Sequence, residues 1–224
     1  MNLHLDWCSH AACKYSVEHW HYSRTLPVPP LLKIGVWEHN IFKGSIIFSR
    51  GTSSNLTKPY GLTQYEACEL TRVALNKHDA PVSKMLSYAI KMLKKKENIK
   101  LIISFADPNE GHHGGIYQAT NWIYTGITNK TKEYIYKGKK YHSRQVSEKG
   151  YNIQMGRIRK CPRPSQCEII VKHGKYRYLM PLTKEMHEKI LPLSKPYPKC
   201  LDGVTGSTTS IQEDNSGSNP TSRL

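Results

Sequence analysis

Leu101-Ile102-Ile103 is a fully apolar run that closes in Ser104-Phe105-Ala106 and then meets Asp107-Pro108. Apolar residues at consecutive positions fit a strand buried on both faces, so this segment belongs inside a sheet rather than at its edge. A polar loop follows, with His112, His113 and the Gly114-Gly115 pair, then a short amphipathic piece from Ile116 to Ala119. Asn121-Trp122 leads into a further strand. A buried strand that delivers an acid, two imidazoles and a phenol to one loop has the layout of a site, because loops at strand ends carry function without the burden of packing.

The segments around it set the class. Ser9 is placed to cap a helix through Ala11, Ala12, Tyr15, Val17 and Trp20, which ends in His19-Trp20-His21-Tyr22-Ser23. Leu26-Pro27-Val28-Pro29-Pro30 then forbids helix. Ile34 to Trp37 and Ser45 to Phe48 flank Glu38-His39-Asn40, which predicts a hairpin with a longer turn. Glu69 to Leu75 reads as a strand, and Pro81 suits the first turn of a helix carrying Val82, Met85, Leu86, Ala89, Ile90 and Leu93. With the strand from Ile99 to Ala106 this predicts one parallel βαβ unit, Glu69 to Ala106. Two more hairpins are expected: Glu133–Tyr136 with Lys139–His142 about Gly138, and Glu168–His173 with Tyr176–Met180 about Gly174. A short helix spans Lys184 to Leu191, and from Leu201 the composition reads as a disordered tail. The expectation is one mixed α/β domain over residues 1–200, with a core at about 17–135, a basic β-rich extension at 136–200 and a tail at 201–224.

The 224 residues carry 33 Lys and Arg against 17 Asp and Glu, a formal charge of +16. That imbalance predicts attraction to polyanions, nucleic acid first. No stretch is long and apolar enough to span a bilayer, so no membrane partner is expected. MNLHLDWCSH lacks the basic region and apolar core of a signal peptide, and six irregularly spaced cysteines do not form a secreted disulfide framework. The expectation is an intracellular protein with reduced thiols.

Strand, loop, helix, strand, carboxylate, short helix with Tyr and Ala, then an aromatic-Gly strand is the order of the GNAT acetyltransferase fold. NLTKPYGLTQYEACELTRVAL and LIISFADPNEGHHGGIYQATNWIYTG resemble, more closely still, the phage Mom-type family, over roughly Val17 to Gly126. The resemblance implies a GNAT-like mixed sheet flanked by helices in a phage-encoded protein of the host cytoplasm. The activity it implies is transfer of a carbamoylmethyl (acetamide-related) group to N6 of adenine in double-stranded DNA, protecting phage DNA from restriction. It also implies iron(II) and acetyl-CoA as cofactors. Whether the chain is a homodimer is left open.

On that resemblance His21 and Tyr22 are metal ligands together with Asp107, with His19 the substitute if the helix phase differs. By its residues alone Asp107 is either a ligand or base, or an N-cap of the turn that follows. Arg72, a guanidinium inside an apolar strand, needs a carboxylate such as Glu69 or Asp107 and is the expected clamp for substrate charge. Tyr117 matches the GNAT tyrosine that returns a proton to the leaving thiolate, a role suited to a neutral phenol. At most one of His112 and His113 is expected on a metal, and Gly114-Gly115 suits close approach of backbone to substrate. The stretch Asn76 to Ser83 lacks the glycines of a GNAT pyrophosphate loop, which leaves the amides of Val82 and Ser83, with Lys77 and Lys84, to receive the coenzyme phosphates. Arg157, Arg159 and Lys160, and Lys139 with Lys140, are the expected DNA-backbone contacts. Trp37, Tyr60 and Trp122 are candidates for stacking with a flipped base. A GNAT N-acetyltransferase acting on a small amine or RNA, which would not need iron, and a non-enzymatic nucleic-acid binder are the alternatives.

Overall fold

The computed structural model describes residues 2–198 except 30, 52, 54, 97 and 155, so the expected tail from Leu201 lies outside the described residues. In chain order the elements are β1 (Leu3–Trp7), α1 (His10–Trp20), β2 (Leu31–Glu38), β3 (Ile41–Ser49), β4 (Ala67–Leu75), α2 (Val82–Lys94), β5 (Leu101–Ala106), α3 (Gly115–Gln118) and β6 (Ile123–Ile127). There follow β7 (Thr131–Tyr136), β8 (Lys139–His142), β9 (Tyr151–Gln154), β10 (Arg157–Lys160), β11 (Glu168–Lys172), β12 (Tyr176–Pro181) and α4 (Lys184–Ile190). A seven-stranded sheet runs β1-β2-β3-β4-β5-β12-β6, antiparallel except for the parallel β4–β5 pair. A three-stranded sheet, β11-β7-β8, and a two-stranded ribbon, β9–β10, stand beside it.

The apolar run behaves as its sequence requires. Ile102 joins the core beneath α2, whose Met85, Leu86, Ala89, Ile90 and Leu93 are buried. Leu101 and Ile103 join the opposite core with Met186 and Ile190 of α4. Further along that face, Cys13 and Val17 of α1 cover Ile47 and Ala74. Each fully buried aliphatic side chain here contributes about 1.5–3 kcal/mol from removal of its surface from water. The α1 cap is as expected, the Ser9 side chain accepting from the Ala12 amide.

Three features differ from the expectation. The β2–β3 turn is not long: His39 and Asn40, at φ 51° and 64°, make a two-residue turn, the left-handed geometry that matches strand twist. The alternation of Leu3 and Leu5 with His4 and Asp6 forms an added edge strand, β1, antiparallel to β2. Most consequentially, β11 and β12 are not a hairpin. β11 pairs with β7, while β12 leaves the small sheet and inserts between β5 and β6. Tyr178 and Leu179 of β12 are fully buried, and only the large sheet has a covered layer on each face to bury them. Gly174 marks the crossing: a Cβ there would lie 1.7 Å from the Thr128 carbonyl oxygen. Gly174→Ala is therefore expected to cost about 1–3 kcal/mol, as overpacking against rigid backbone does, measured as a lower urea midpoint.

Candidate active site

The β4–β5 pairing ends at Leu70↔Ser104, although β4 continues to Leu75 and β5 to Ala106. Beyond that point the two strands are no longer paired, and they diverge toward their C-terminal ends. A bulge in β4 lies at this point. Ile47 pairs with Arg72 but Phe48 with Leu70, which leaves Thr71 as the extra residue. Its hydroxyl donates to the Ile47 carbonyl at 3.1 Å. The bulge reverses the alternation, so Leu70 and Val73 share the α2 face while Glu69, Arg72 and Ala74 fall on the α1 face. The Arg72 guanidinium donates to the Thr25 carbonyl at 3.2 Å and the Thr71 carbonyl at 2.7 Å.

α1 ends at the same place. His21 is its C-cap, 9% exposed. Its Nδ1 lies 2.8 Å from the Ser23 hydroxyl and accepts the Ser23 amide at 3.1 Å. An accepting Nδ1 puts the proton of the neutral ring on Nε2. Burial, then the charges of Arg72 and His112, push the imidazole down to about 4, so it is neutral at pH 7. The Tyr22 ring is 58% exposed and sits 4.4 Å from that of His21 and 5.8 Å from that of His112. His19 points elsewhere: it is exposed and stacks on Tyr15 at 4.0 Å.

The β5 side supplies the acid and the phenol. Asp107 is the N-cap of the turn after β5: Oδ1 accepts the Asn109 amide at 3.0 Å and its Nδ2 at 2.7 Å, and Oδ2 pairs with Lys175 at 2.9 Å. Burial opposes ionisation of Asp107, but these donors hold it below its ordinary range. Burial raises Glu69 instead, against the pull of Lys175 and Arg72. The Tyr117 hydroxyl lies 2.8 Å from the Ser104 hydroxyl, whose single proton is shared between Tyr117 and the Leu70 carbonyl, 2.9 Å away. Burial pushes Tyr117 up to about 12, Ser104 drawing it down and Tyr22, Glu69 and Tyr178 adding to the rise, so it keeps its proton at pH 7.

Thus His21, Tyr22, Glu69, Arg72, His112 and Tyr117 share one neighbourhood, joined by ring contacts and mutual electrostatics, and Asp107 reaches it through Lys175, whose charge also acts on Glu69. Ser104, Ser23 and Lys175 complete it and were not singled out from the sequence, although Ser104 is the lone hydroxyl in an apolar run. The expectation for Gly114-Gly115 is corrected. Gly114, at φ +90°, makes room for the Tyr178 ring, 2.4 Å from where its Cβ would be, and the His113 carbonyl accepts from the Tyr178 hydroxyl at 2.6 Å. That close approach packs the loop on the core.

Of the residues named for iron(II), Asp107 accepts from Asn109 and pairs with Lys175, and His21 accepts the Ser23 amide on Nδ1. Among the described residues no three His, Cys, Asp or Glu side chains converge on a point that could hold a metal ion.

The coenzyme residues sit where β4 leads into α2. Lys77 and Lys84 are exposed, and Val82 and Ser83 open the helix. The preceding amides are already taken: buried Glu38 accepts from Asp79 at 3.0 Å and Ala80 at 2.6 Å. Trp122 is fully buried and Tyr60 4% exposed, and Trp37 packs against Phe42 and His4, so none of the three is free to stack on a base. Lys139 and Lys140 on β8, and Arg157, Arg159 and Lys160 on β10, are exposed.

The site is a charged and aromatic cluster at the point where two parallel strands of a mixed α/β domain diverge. The model of the Mom protein family matches residues 2–199, and the chain belongs to that family. The methylcarbamoylase mom of Escherichia phage Mu is 26% identical over 194 residues, covering 80% of this chain and 76% of that protein. Among solved structures, an N-acetyltransferase from Staphylococcus aureus matches 81% of this chain and 99% of its own, at a TM-score of 0.45 and 8% identity. A spermidine/spermine N-acetyltransferase from Vibrio cholerae matches 84% and 99%, at 0.46 and 8%. Among the described residues no helix is long and apolar enough to cross a membrane.

The His21 shift makes a stability prediction. Its ordinary value is 6.5 and its folded value about 4, so between these the unfolded chain binds more protons and folding weakens as pH falls. Thermal midpoints of the intact chain should drop from pH 6.5 to 4, and His21→Gln should flatten that part of the profile.

Proposed function

We propose that this protein modifies adenine in double-stranded DNA, placing a carbamoylmethyl-type group at N6, and so shields phage DNA from host restriction. Acetyl-CoA supplies the two carbons, a nitrogen donor displaces the coenzyme thiol to form the amide, and a two-electron oxidant takes up the hydride equivalent lost when the methyl carbon bonds N6. Membership of the Mom family over residues 2–199 carries this reading, supported by the cluster in the β4–β5 gap and the charge of +16.

The roles follow from protonation states. An exocyclic amine conjugated with its ring is a poor nucleophile and must lose a proton as it reacts. Glu69, raised by burial, is the carboxylate suited to take it, better than Asp107, which Asn109 and Lys175 hold ionised. Arg72, though burial draws it down, remains cationic and holds negative charge on the donor. Neutral His21 donates Nε2–H to an acceptor on the substrate. Tyr117, protonated and backed by Ser104, supplies a proton to the leaving group. Asp107 orients Lys175 toward Glu69 and fixes the loop that carries His112. The first amides of α2, with Lys77 and Lys84, receive the coenzyme phosphates, their neighbours being capped by Glu38.

Nucleoside mass spectrometry of plasmid DNA from cells expressing the full chain tests this. A new deoxyadenosine species is expected, lost with Tyr117→Phe, whose fold and DNA affinity should persist. Unmodified DNA from folded protein would move the assignment to an N-acetyltransferase of small amines or RNA. In steady-state assays Lys77→Ala with Lys84→Ala should raise KM for acetyl-CoA several-fold while leaving kcat near wild type.

A further inference from the structure

An adenine inside a duplex cannot reach a gap between two strands unless it leaves the stack, and the gap it leaves must be filled. The buried aromatic residues cannot fill it. The ribbon β9–β10 can. It pairs with no other described strand, and the charged residues from 149 to 167 are Lys149, Arg157, Arg159, Lys160 and Arg163, all cationic. Its register sorts the side chains by face. Ile153 lies directly opposite Ile158, and Tyr151 opposite Lys160, on one face; Arg157 and Arg159 lie on the other. Ile153 and Ile158 are 67% and 71% exposed, an apolar pair held in water on a basic arm.

The arm is tied to the active site. Asp107 pairs with Lys175, and Asn109 bonds the His173 backbone in both directions, which roots β11 and β7 beside the reacting cluster. β8 returns along β7 to place His142 opposite Glu133, and the next turn holds the ribbon through Asn152 donating to the Arg144 carbonyl at 3.1 Å. A two-stranded ribbon is of a width that a DNA groove admits. Apolar side chains inserted between base steps are how proteins hold a duplex open.

We propose that β9–β10 is the wedge that holds the target adenine out of the duplex. Arg157 and Arg159 take phosphates beside the site, and the Ile153–Ile158 pair occupies the space the base vacates. This rests on the duplex-DNA reading above.

Permanganate oxidises unstacked thymines, so it reports the orphaned partner of a flipped adenine on plasmid DNA without a known target sequence. With the full chain bound at saturation, reactive thymines are expected. Ile153→Ser with Ile158→Ser should reduce that reactivity several-fold at matched occupancy, because exposed positions alter neither fold nor charge. Arg157→Gln with Arg159→Gln should instead weaken duplex binding and make the log K against log salt slope shallower by about 1.8, two phosphates at about 0.9 each. Duplex binding without reactive thymines, reactivity unchanged in the isoleucine variant, or an unchanged salt slope in the arginine variant would overturn the wedge and leave the DNA reading standing. A wild-type chain that binds no duplex DNA would overturn both.

Discussion

The parting of β4 from β5 after Leu70↔Ser104 is the constraint on which the site depends. Two parallel strands that stay paired leave no gap, and two that never pair leave no fixed edges. Here pairing holds over the first residues of each strand and then stops. The Thr71 bulge prises β4 toward β3, and the Ser104 hydroxyl spans to the Leu70 carbonyl at the point of divergence. β5 does not follow β4 because β12 binds its other edge over its full length, Tyr176↔Ala106 to Pro181↔Leu101. The gap is held open from both sides by ladders of backbone hydrogen bonds, so it costs no flexible loop.

The electrostatics of the gap follow from its burial. Arg72 and Lys175 are the cations within reach of its carboxylates, and the shifts of Glu69 and Asp107 diverge because their surroundings differ. Asp107 has amide donors and a lysine at 2.9 Å, whereas among the described residues Glu69 has charged neighbours and no such cap. Two carboxylates in one site are thereby separated into a fixed anion and a titratable acid, the arrangement from which acid–base assignments are read. His21 and Tyr117 are driven to their neutral forms by burial first. The site thus presents neutral donors beside a permanent guanidinium.

The architecture also explains why the extension is not an appendage. β11 and β12 are consecutive in sequence but belong to different sheets, and the segment between them carries Lys175 into the site. The loop after β5, the link between β6 and β7 and the link between β11 and β12 meet through Asn109, Thr128, His173 and Lys175. The small sheet, with the basic ribbon beyond it, is therefore fastened to the reacting residues by hydrogen bonds.

Much of this was legible in the residues. The consecutive apolar run, the Pro81 helix and the Ser9 cap each reflect interactions within a few residues of chain, and the elements they forecast are present. The neighbourhood of His21, Tyr22, Glu69, Arg72, Asp107 and Tyr117 came from resemblance joined to local pattern. What tertiary structure decided depends on contacts between distant segments. Glycine-centred strands at 168–173 and 176–180 look like a hairpin locally, but the full burial of Tyr178 and Leu179 sends β12 into the large sheet. A bulge, invisible to alternation, places Arg72 beside Glu69. Lys175, close in sequence to none of its partners, takes the Asp107 carboxylate, and the Ser23 amide takes the His21 Nδ1. Local sequence sets which face of an element is apolar; only the packed fold decides which polar atoms are already partnered, and that decides the chemistry left to them.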